Sequence, residues 1–283
     1  MKTFKITLVL LTIVSFTFGQ TSAIKSEVIG TGSPILFLPG FTTPGSIFKD
    51  TVDHLTIQNE AHLISYAGFN GNEPIKINNE SSWYGTIKKE LVTYLRNKNL
   101  KSVIIIGHSM GGNLATDLAA ELPDTISKIV IIDAIPCMRE LMMPGVPANS
   151  LQYESPYNKQ MLAMEETQFK QTATMMSQNM TNNKEKVETL INWIMEADRQ
   201  TYVYGYTDLL KLDLRTVLDK IKAQTLILGA SFPSVEIAKS NYEKQYANLA
   251  NKTIQMASDS KHFIMFDQPE WYYKQINAFL SNE

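Results

Sequence analysis

The 283-residue sequence has a single cysteine and almost no net charge, since its 26 lysine and arginine residues nearly balance its 28 aspartate and glutamate residues. One cysteine excludes an internal disulfide framework and a cysteine-rich metal cluster. A formal net charge of −2 provides no basic field for binding nucleic acid. Hydrophobic residues make up 44% of the chain, which excludes global disorder. The length of 283 residues favours one large domain, or a core with an insertion, over several modules. Composition therefore indicates a globular protein whose chemistry depends on particular motifs.

The N-terminus carries the pattern of an export signal. Lys2 and Lys5 precede an apolar run at residues 6–18, which ends before Gly19. A short positive region, a short apolar stretch and small residues are typical of a secretory signal peptide. The run is shorter than the roughly 20 apolar residues that span a bilayer. We therefore predict a signal peptide at 1–19 and an exported protein, periplasmic or secreted, with no stable membrane insertion after its removal.

Short apolar runs alternate with helical stretches along the rest of the chain. The runs occupy residues 35–38, 61–67, 103–106, 128–132, 225–228 and 253–257. Strands that are apolar on both faces and separated by helices belong in a parallel sheet that helices cover on both sides. The predicted fold class is therefore α/β, with a mostly parallel central sheet flanked by helices.

One segment interrupts this alternation. Residues 137–205 show no strand pattern, and nine of the 13 methionines lie between Met138 and Met195. Such a segment is too long for a plain connection between strands. We predict a helical cap at 137–205, inserted before the penultimate strand, between core segments 20–136 and 206–283. The methionines are open to two interpretations, ordinary core filling or a pliable apolar wall around a substrate.

The motif most directly tied to chemistry is VIIIGHSMGG at residues 103–112. It contains G-x-S-x-G between a predicted strand and a predicted helix, the context of a nucleophile elbow. A sharp turn there would expose the Ser109 hydroxyl, and side chains at Gly107 and Gly111 would collide with the turn. The alternative is that the glycines merely permit a tight strand–helix turn.

With ILFLPGF at 35–41, KIVIIDAIP at 128–136, TLILGA at 225–230 and KHFIMFDQPEW at 261–271, this motif resembles the α/β-hydrolase fold family. The resemblance covers residues 28–279 and is to cap-bearing esterase-like and peroxidase-like members. It implies an α/β-hydrolase fold with Ser109 as nucleophile. It also implies an acid and then a histidine, following the serine in that order.

Among four histidines, the order implied by the resemblance selects His262 as the base. His54 and His62 precede the serine, and His108 lies within the motif itself. His262 follows the last predicted strand, and loops at the carboxyl ends of strands are where such sheets place catalytic groups.

The acid is harder to assign. The family most often places it after the strand that corresponds here to 225–230, where no aspartate follows and the nearest acid is Glu236. Some members place it after the preceding strand, at the position of Asp133, which is our prediction. Asp208, Asp213 and Asp259 are the alternatives, although Asp213 also has the pattern of a helix N-cap.

The oxyanion hole implied by the resemblance uses the backbone amides of Phe41 and Met110. Pro39 stands where the family usually has histidine, which leaves the Phe41 amide in place. No metal site and no cofactor is predicted, since no H-E-x-x-H motif or cluster of ligands occurs.

The predicted function is hydrolysis of a small or medium apolar carboxylic ester through a serine–histidine–aspartate triad and an acyl-enzyme. The expected partner is a small molecule, not nucleic acid, and the oligomeric state is open. Alternative activities on the same triad are those of an aminopeptidase, a C–C bond hydrolase or a cofactor-free perhydrolase. An aminopeptidase would need acids in the cap to hold the substrate amine, and Glu165 and Glu166 could be misread in that role. Another class is a non-catalytic ligand-binding protein of the same fold.

Overall fold

A computed structural model describes residues 22–281. The predicted signal peptide at 1–19 lies outside the described residues and stays a prediction. No helix within the described range is long and apolar enough to cross a membrane.

The described residues form a seven-stranded sheet in the order β1-β3-β2-β4-β5-β6-β7. Only β1 is antiparallel to its neighbour, and the other strands pair in parallel. The strands are β1 Ile24–Gly30, β2 Ser33–Leu38, β3 Asn59–Tyr66, β4 Val103–His108, β5 Ile126–Ile132, β6 Gln224–Ala230 and β7 Lys252–Ala257. The predicted α/β class with a mostly parallel sheet is therefore confirmed.

Six of these strands match the apolar runs of the sequence, whereas β1 has no counterpart among them. Its residues are mostly exposed because it lies at the edge of the sheet. An edge strand that buries little of its surface lacks the continuous apolar run that marks a central strand. The central strand β4 is buried along its whole length.

Helices cover both faces of the sheet. The core helices are α1 Lys49–His54, α2 Trp83–Asn97, α3 Met110–Glu121, α9 Val235–Gln245, α10 Ile264–Asp267 and α11 Pro269–Ser281. In β2, Leu36 and Leu38 pack on the side of α2, α3 and α9, while Ile35 and Phe37 pack on the side of α11. This alternation follows from the two-residue period of a strand.

Five α-helices of the described chain lie between β5 and β6. They are α4 Met138–Met142, α5 Pro156–Leu162, α6 Glu166–Met180, α7 Lys184–Met195 and α8 Arg199–Lys211. Helices α6 and α7 pack against each other, and α8 packs against α2. Helix α8 continues past residue 205, where the predicted cap ends. The division into core and cap stays a prediction, and the name cap is used below for these five helices.

Candidate active site

The chain passes from β4 to α3 through Ser109 alone. Its backbone has φ 52° and ψ −122°, a strained conformation for a residue with a side chain. The turn is also crowded. A Cβ atom on Gly107 would lie 2.2 Å from the Gly111 carbonyl oxygen, and one on Gly111 would lie 1.9 Å from that of Leu38. Both positions therefore require glycine. This requirement is typical of a nucleophile elbow, a sharp turn that exposes its serine above the sheet.

Ser109 lines a cavity of about 250 Å³ between the carboxyl edge of the sheet and the cap. His262 lines the same cavity, so the fold brings together two residues that are far apart in sequence. Of the described residues, those that surround this cavity include two histidines but no lysine, arginine, aspartate or glutamate. The cap contributes Met138, Met176, Met180, Leu190, Trp193, Ile194, Tyr202, Tyr206 and Leu209.

His262 contacts Asp133. Its Nδ1 atom lies 2.6 Å from Asp133 Oδ2. Asp133 directly follows β5 and has a positive φ of 46°, a conformation that aspartate tolerates better than most residues. The other carboxylate oxygen, Oδ1, accepts hydrogen bonds from the Tyr242 hydroxyl at 2.6 Å and the Ala230 amide at 2.8 Å. Both carboxylate oxygens are thus occupied, and one is directed at the imidazole.

These contacts keep Asp133 ionised. Burial alone would raise the pKa of this carboxyl group. The hydrogen bonds from His262, Tyr242 and the Ala230 amide together outweigh burial, so that the pKa lies below its ordinary value. An ionised carboxylate at Nδ1 fixes the imidazole with its Nε2 atom free to accept a proton.

His108 contacts the backbone of the loop that carries His262, called the histidine loop below. Its ring is fully buried, and its Nε2 atom lies 3.0 Å from the backbone carbonyl oxygen of His262. Burial, together with the adjacent His262 ring, lowers the pKa of His108 to about 3. The ring is therefore neutral at physiological pH, and this geometry assigns its proton to Nε2, which donates to the carbonyl. Sequence reasoning gave His108 no role.

Asp267 joins the histidine loop to the cap. Its Oδ2 atom accepts a hydrogen bond from the Lys261 amide at 2.8 Å. Its Oδ1 atom accepts from the Thr181 hydroxyl at 2.5 Å and the Asn182 amide at 2.9 Å, both in the loop between α6 and α7. The cap therefore helps to hold the backbone next to His262.

Sequence reasoning missed both Asp267 and Tyr242. Tyr242 lies on α9, and no local pattern links it to the acid. The only available signal for Asp267 was its position five residues after His262.

The alternative acids lie elsewhere. Asp208 accepts hydrogen bonds from the Tyr153 hydroxyl at 2.5 Å and the Tyr84 amide at 3.2 Å, which fastens α8 to the start of α2. The cost of burying this carboxylate raises the pKa of Asp208 despite these bonds.

Asp213 pairs with the Arg215 guanidinium at 2.6 Å and caps a short 3₁₀ helix, in agreement with its cap-like sequence pattern. The hydrogen bond from Arg215 lowers the pKa of Asp213. Asp259 is exposed. Among the described residues, Asp133 is the acid that contacts His262.

The two predicted oxyanion donors flank the serine. Phe41 lines the cavity in a tight turn closed by a hydrogen bond from the Thr43 amide to the Gly40 carbonyl oxygen at 3.2 Å. A Cβ atom on Gly40 would lie 3.3 Å from Ser109 Cβ, so this turn lies directly against the elbow. Met110 is buried as the first residue of α3, whose positive end faces the same region. Within residues 22–281, no backbone hydrogen bond uses the Phe41 or Met110 amide.

Residues 35–275 match the sequence profile of the Alpha/beta hydrolase family. The chain belongs to this family. The pimeloyl-[acyl-carrier protein] methyl ester esterase of Wigglesworthia glossinidia brevipalpis is 25% identical over 266 residues, which cover 90% of this chain and 96% of the relative. The protein is thus an enzyme of the α/β-hydrolase superfamily, an esterase or related hydrolase.

Solved structures show the same family fold. An esterase from Exiguobacterium antarcticum superposes with a TM-score of 0.72 at 18% identity, covering 92% of this chain and 96% of that one. A hydrolase from Oleispira antarctica superposes with a TM-score of 0.75 at 18% identity, covering 93% and 96%. Within the described residues of this family member, no cluster of three or more histidine, cysteine or acidic side chains could hold a metal ion.

Proposed function

We propose that this hydrolase is a carboxylesterase in which Ser109 is the nucleophile, His262 the general base and Asp133 the acid that orients it. One observation carries the proposal. Asp133 holds the Nδ1 side of His262 at 2.6 Å, while His262 and Ser109 line one cavity. Nucleophile, base and orienting acid are the three components of a hydrolytic triad.

The proposed reaction begins when Ser109 Oγ attacks the ester carbonyl carbon and His262 Nε2 takes its proton. The resulting tetrahedral intermediate collapses, His262 gives the proton to the leaving alcohol, and an acyl-enzyme remains. Water then attacks this acyl group with His262 again as base, which releases the carboxylic acid and restores the serine.

The oxyanion of each tetrahedral intermediate would accept hydrogen bonds from the Phe41 and Met110 amides. Their positions beside the elbow support this role, as does the absence of other backbone partners within the described chain. Loss of one such donor in a comparable enzyme costs on the order of 10²–10³-fold in rate.

The uncharged cavity supports an apolar ester as substrate. The Wigglesworthia relative is a methyl ester esterase, which agrees with this class of bond. An aminopeptidase would need an acid to bind the substrate amine, yet Glu165 and Glu166 are exposed and do not line the cavity that contains Ser109. The ester is therefore the better-supported substrate.

The test combines a fluorophosphonate probe with hydrolysis of p-nitrophenyl butyrate and an aminoacyl p-nitroanilide. The protein should react with the probe and cleave the ester in preference to the anilide. Ser109→Ala should abolish labelling and lower kcat by on the order of 10⁴–10⁶-fold. Ser258→Ala, at an exposed serine, is the matched control and should behave as the wild type. Unlabelled wild-type protein would favour a non-catalytic binding protein, and preference for the anilide would favour a peptidase.

A further inference from the structure

A second and larger cavity lies within the cap. Its volume is about 490 Å³, against about 250 Å³ for the cavity that contains Ser109. We call them the cap chamber and the catalytic chamber. Residues that line the cap chamber come only from the segment between β5 and β6, and they include Met142, Met143, Tyr157, Met161, Val203 and Leu210.

The two chambers share a wall. Met176 on α6 and Tyr202 and Tyr206 on α8 line both of them. The Tyr202 hydroxyl contacts the Met176 sulfur at 3.4 Å, and the Tyr206 hydroxyl contacts the Met142 sulfur at 3.6 Å. These contacts are weak, and methionine has three rotatable side-chain bonds. Met176 is therefore free to change rotamer at the shared wall without breaking a strong interaction.

The shared wall also adjoins the predicted oxyanion loop. The Phe41 ring packs against Tyr202 and Tyr206, with ring centroids 5.6 and 6.0 Å apart. A ligand whose carbonyl group lies at Ser109 would thus have the shared wall next to it.

Within the described chain, neither chamber is lined by a side chain of fixed charge. Of the described residues that line them, none is lysine, arginine, aspartate or glutamate, and the polar ones other than His108 and His262 carry hydroxyl or amide groups. A charged ligand portion would find no ionic partner among the described residues of the cap chamber. An aliphatic chain needs no such partner and gains free energy with each buried methylene.

From this geometry we infer that the substrate is an uncharged ester with a long aliphatic chain, which passes between Met176, Tyr202 and Tyr206 and occupies the cap chamber. The inference rests on the proposed function and specifies its substrate. The chain can belong to the acyl or the alcohol side of the ester, and two series of substrates distinguish these sources.

The first measurement is kcat/KM as a function of chain length. One series consists of p-nitrophenyl esters of straight-chain acids from acetate to palmitate, and the other of acetates of straight-chain alcohols, all below their micellar concentrations. In one series, kcat/KM should rise beyond four carbons by up to about fourfold per methylene, until the chamber is full. A decline beyond four carbons in both series would overturn the inference.

The second measurement fills the cap chamber. Met161 is buried and lines the cap chamber but not the catalytic chamber. Met161→Trp should lower the ratio of kcat/KM for the dodecyl over the butyl member of the responsive series by at least about tenfold. Met175→Trp is the matched control, since Met175 is 63% exposed, and it should leave the ratio unchanged. Met143→Trp, at a half-buried position of the same chamber, provides a second variant if Met161→Trp fails to fold.

These outcomes separate the two proposals. If Ser109→Ala abolishes butyrate hydrolysis but folded Met161→Trp and Met143→Trp keep the wild-type chain-length profile, the cap chamber is not the chain site while the esterase proposal stands. If Ser109→Ala keeps hydrolysing both short and long esters, the esterase proposal itself fails.

Discussion

The Nδ1 atom of His262 lies 2.6 Å from Oδ2 of Asp133, although 129 positions separate the two residues in the chain. Asp133 is held in turn by Tyr242 and the Ala230 amide, so the carboxylate is fixed before any substrate binds. Such preorganisation lets a triad avoid reorganisation during the reaction.

Replacing the acid should slow the chemistry. In Asp133→Asn the amide can donate to His262 Nδ1 and select the wrong tautomer, so kcat should fall by on the order of 10³–10⁴-fold. Steady-state hydrolysis of p-nitrophenyl butyrate measures this. Asp259→Asn, at an exposed aspartate near the histidine loop, should keep wild-type kcat. Near-normal kcat in Asp133→Asn would assign the acid elsewhere.

His108 should make the fold sensitive to acid. Unfolded histidine titrates near pH 6.5, whereas burial lowers the pKa of His108 in the fold to about 3. Between these two pKa values only the unfolded chain binds the proton. The free energy of unfolding should therefore decrease as the pH is lowered, by up to about 1.4 kcal/mol per pH unit. Urea unfolding at several pH values from 7 to 4 gives the free energy of unfolding as a function of pH. The slope of this plot should be shallower in His108→Gln than in the wild type, by the equivalent of about one bound proton. Parallel curves for the two proteins would contradict this account.

The elbow should not accept a side chain at Gly111. Its Cβ would lie 1.9 Å from the Leu38 carbonyl oxygen, so Gly111→Ala should destabilise the fold by at least about 3 kcal/mol or prevent folding. Gly71→Ala is the comparison, because φ is +72° there but nothing lies within 4 Å of the added atom. That variant should lose only about 1–2 kcal/mol, the cost of the left-handed backbone. Equal losses by urea unfolding would show that crowding at the elbow is unimportant.

Asp267 should act as a positioning residue. An amide at this position cannot accept all the hydrogen bonds that its carboxylate accepts from Lys261, Thr181 and Asn182. Displacement of the histidine loop in Asp267→Asn should lower kcat by up to about 10²-fold, with little change in KM. A purely structural role would instead lower the fraction of active enzyme, which titration with the fluorophosphonate probe measures, and leave kcat per labelled site unchanged.

The N-terminal pattern predicts processing. When the full chain is expressed in a bacterium, the mature protein should be exported and begin at Gln20. Replacing Lys2 and Lys5 by glutamate should retain the precursor, because the positive region of a signal peptide is needed for its recognition. Fractionation and N-terminal sequencing test this, and a fully retained wild-type chain with an intact N-terminus would refute it.

Local patterns sufficed to predict the parallel sheet and the elbow at Ser109. A buried strand needs a continuous apolar run, and a crowded turn needs glycine, so both requirements are visible in neighbouring residues. The edge strand β1 escaped prediction because its mostly exposed residues are under no such requirement.

The sequence by itself also placed His262 after the last strand and offered Asp133 among four possible acids. Only the tertiary structure decided which acid touches the imidazole, because that depends on the order of strands in the sheet and on the positive φ of Asp133. The roles of Tyr242, Asp267 and the shared wall of the two chambers depend in the same way on helices packed together from distant parts of the chain. Local periodicity records the secondary structure and burial of a residue but not its partner across the fold.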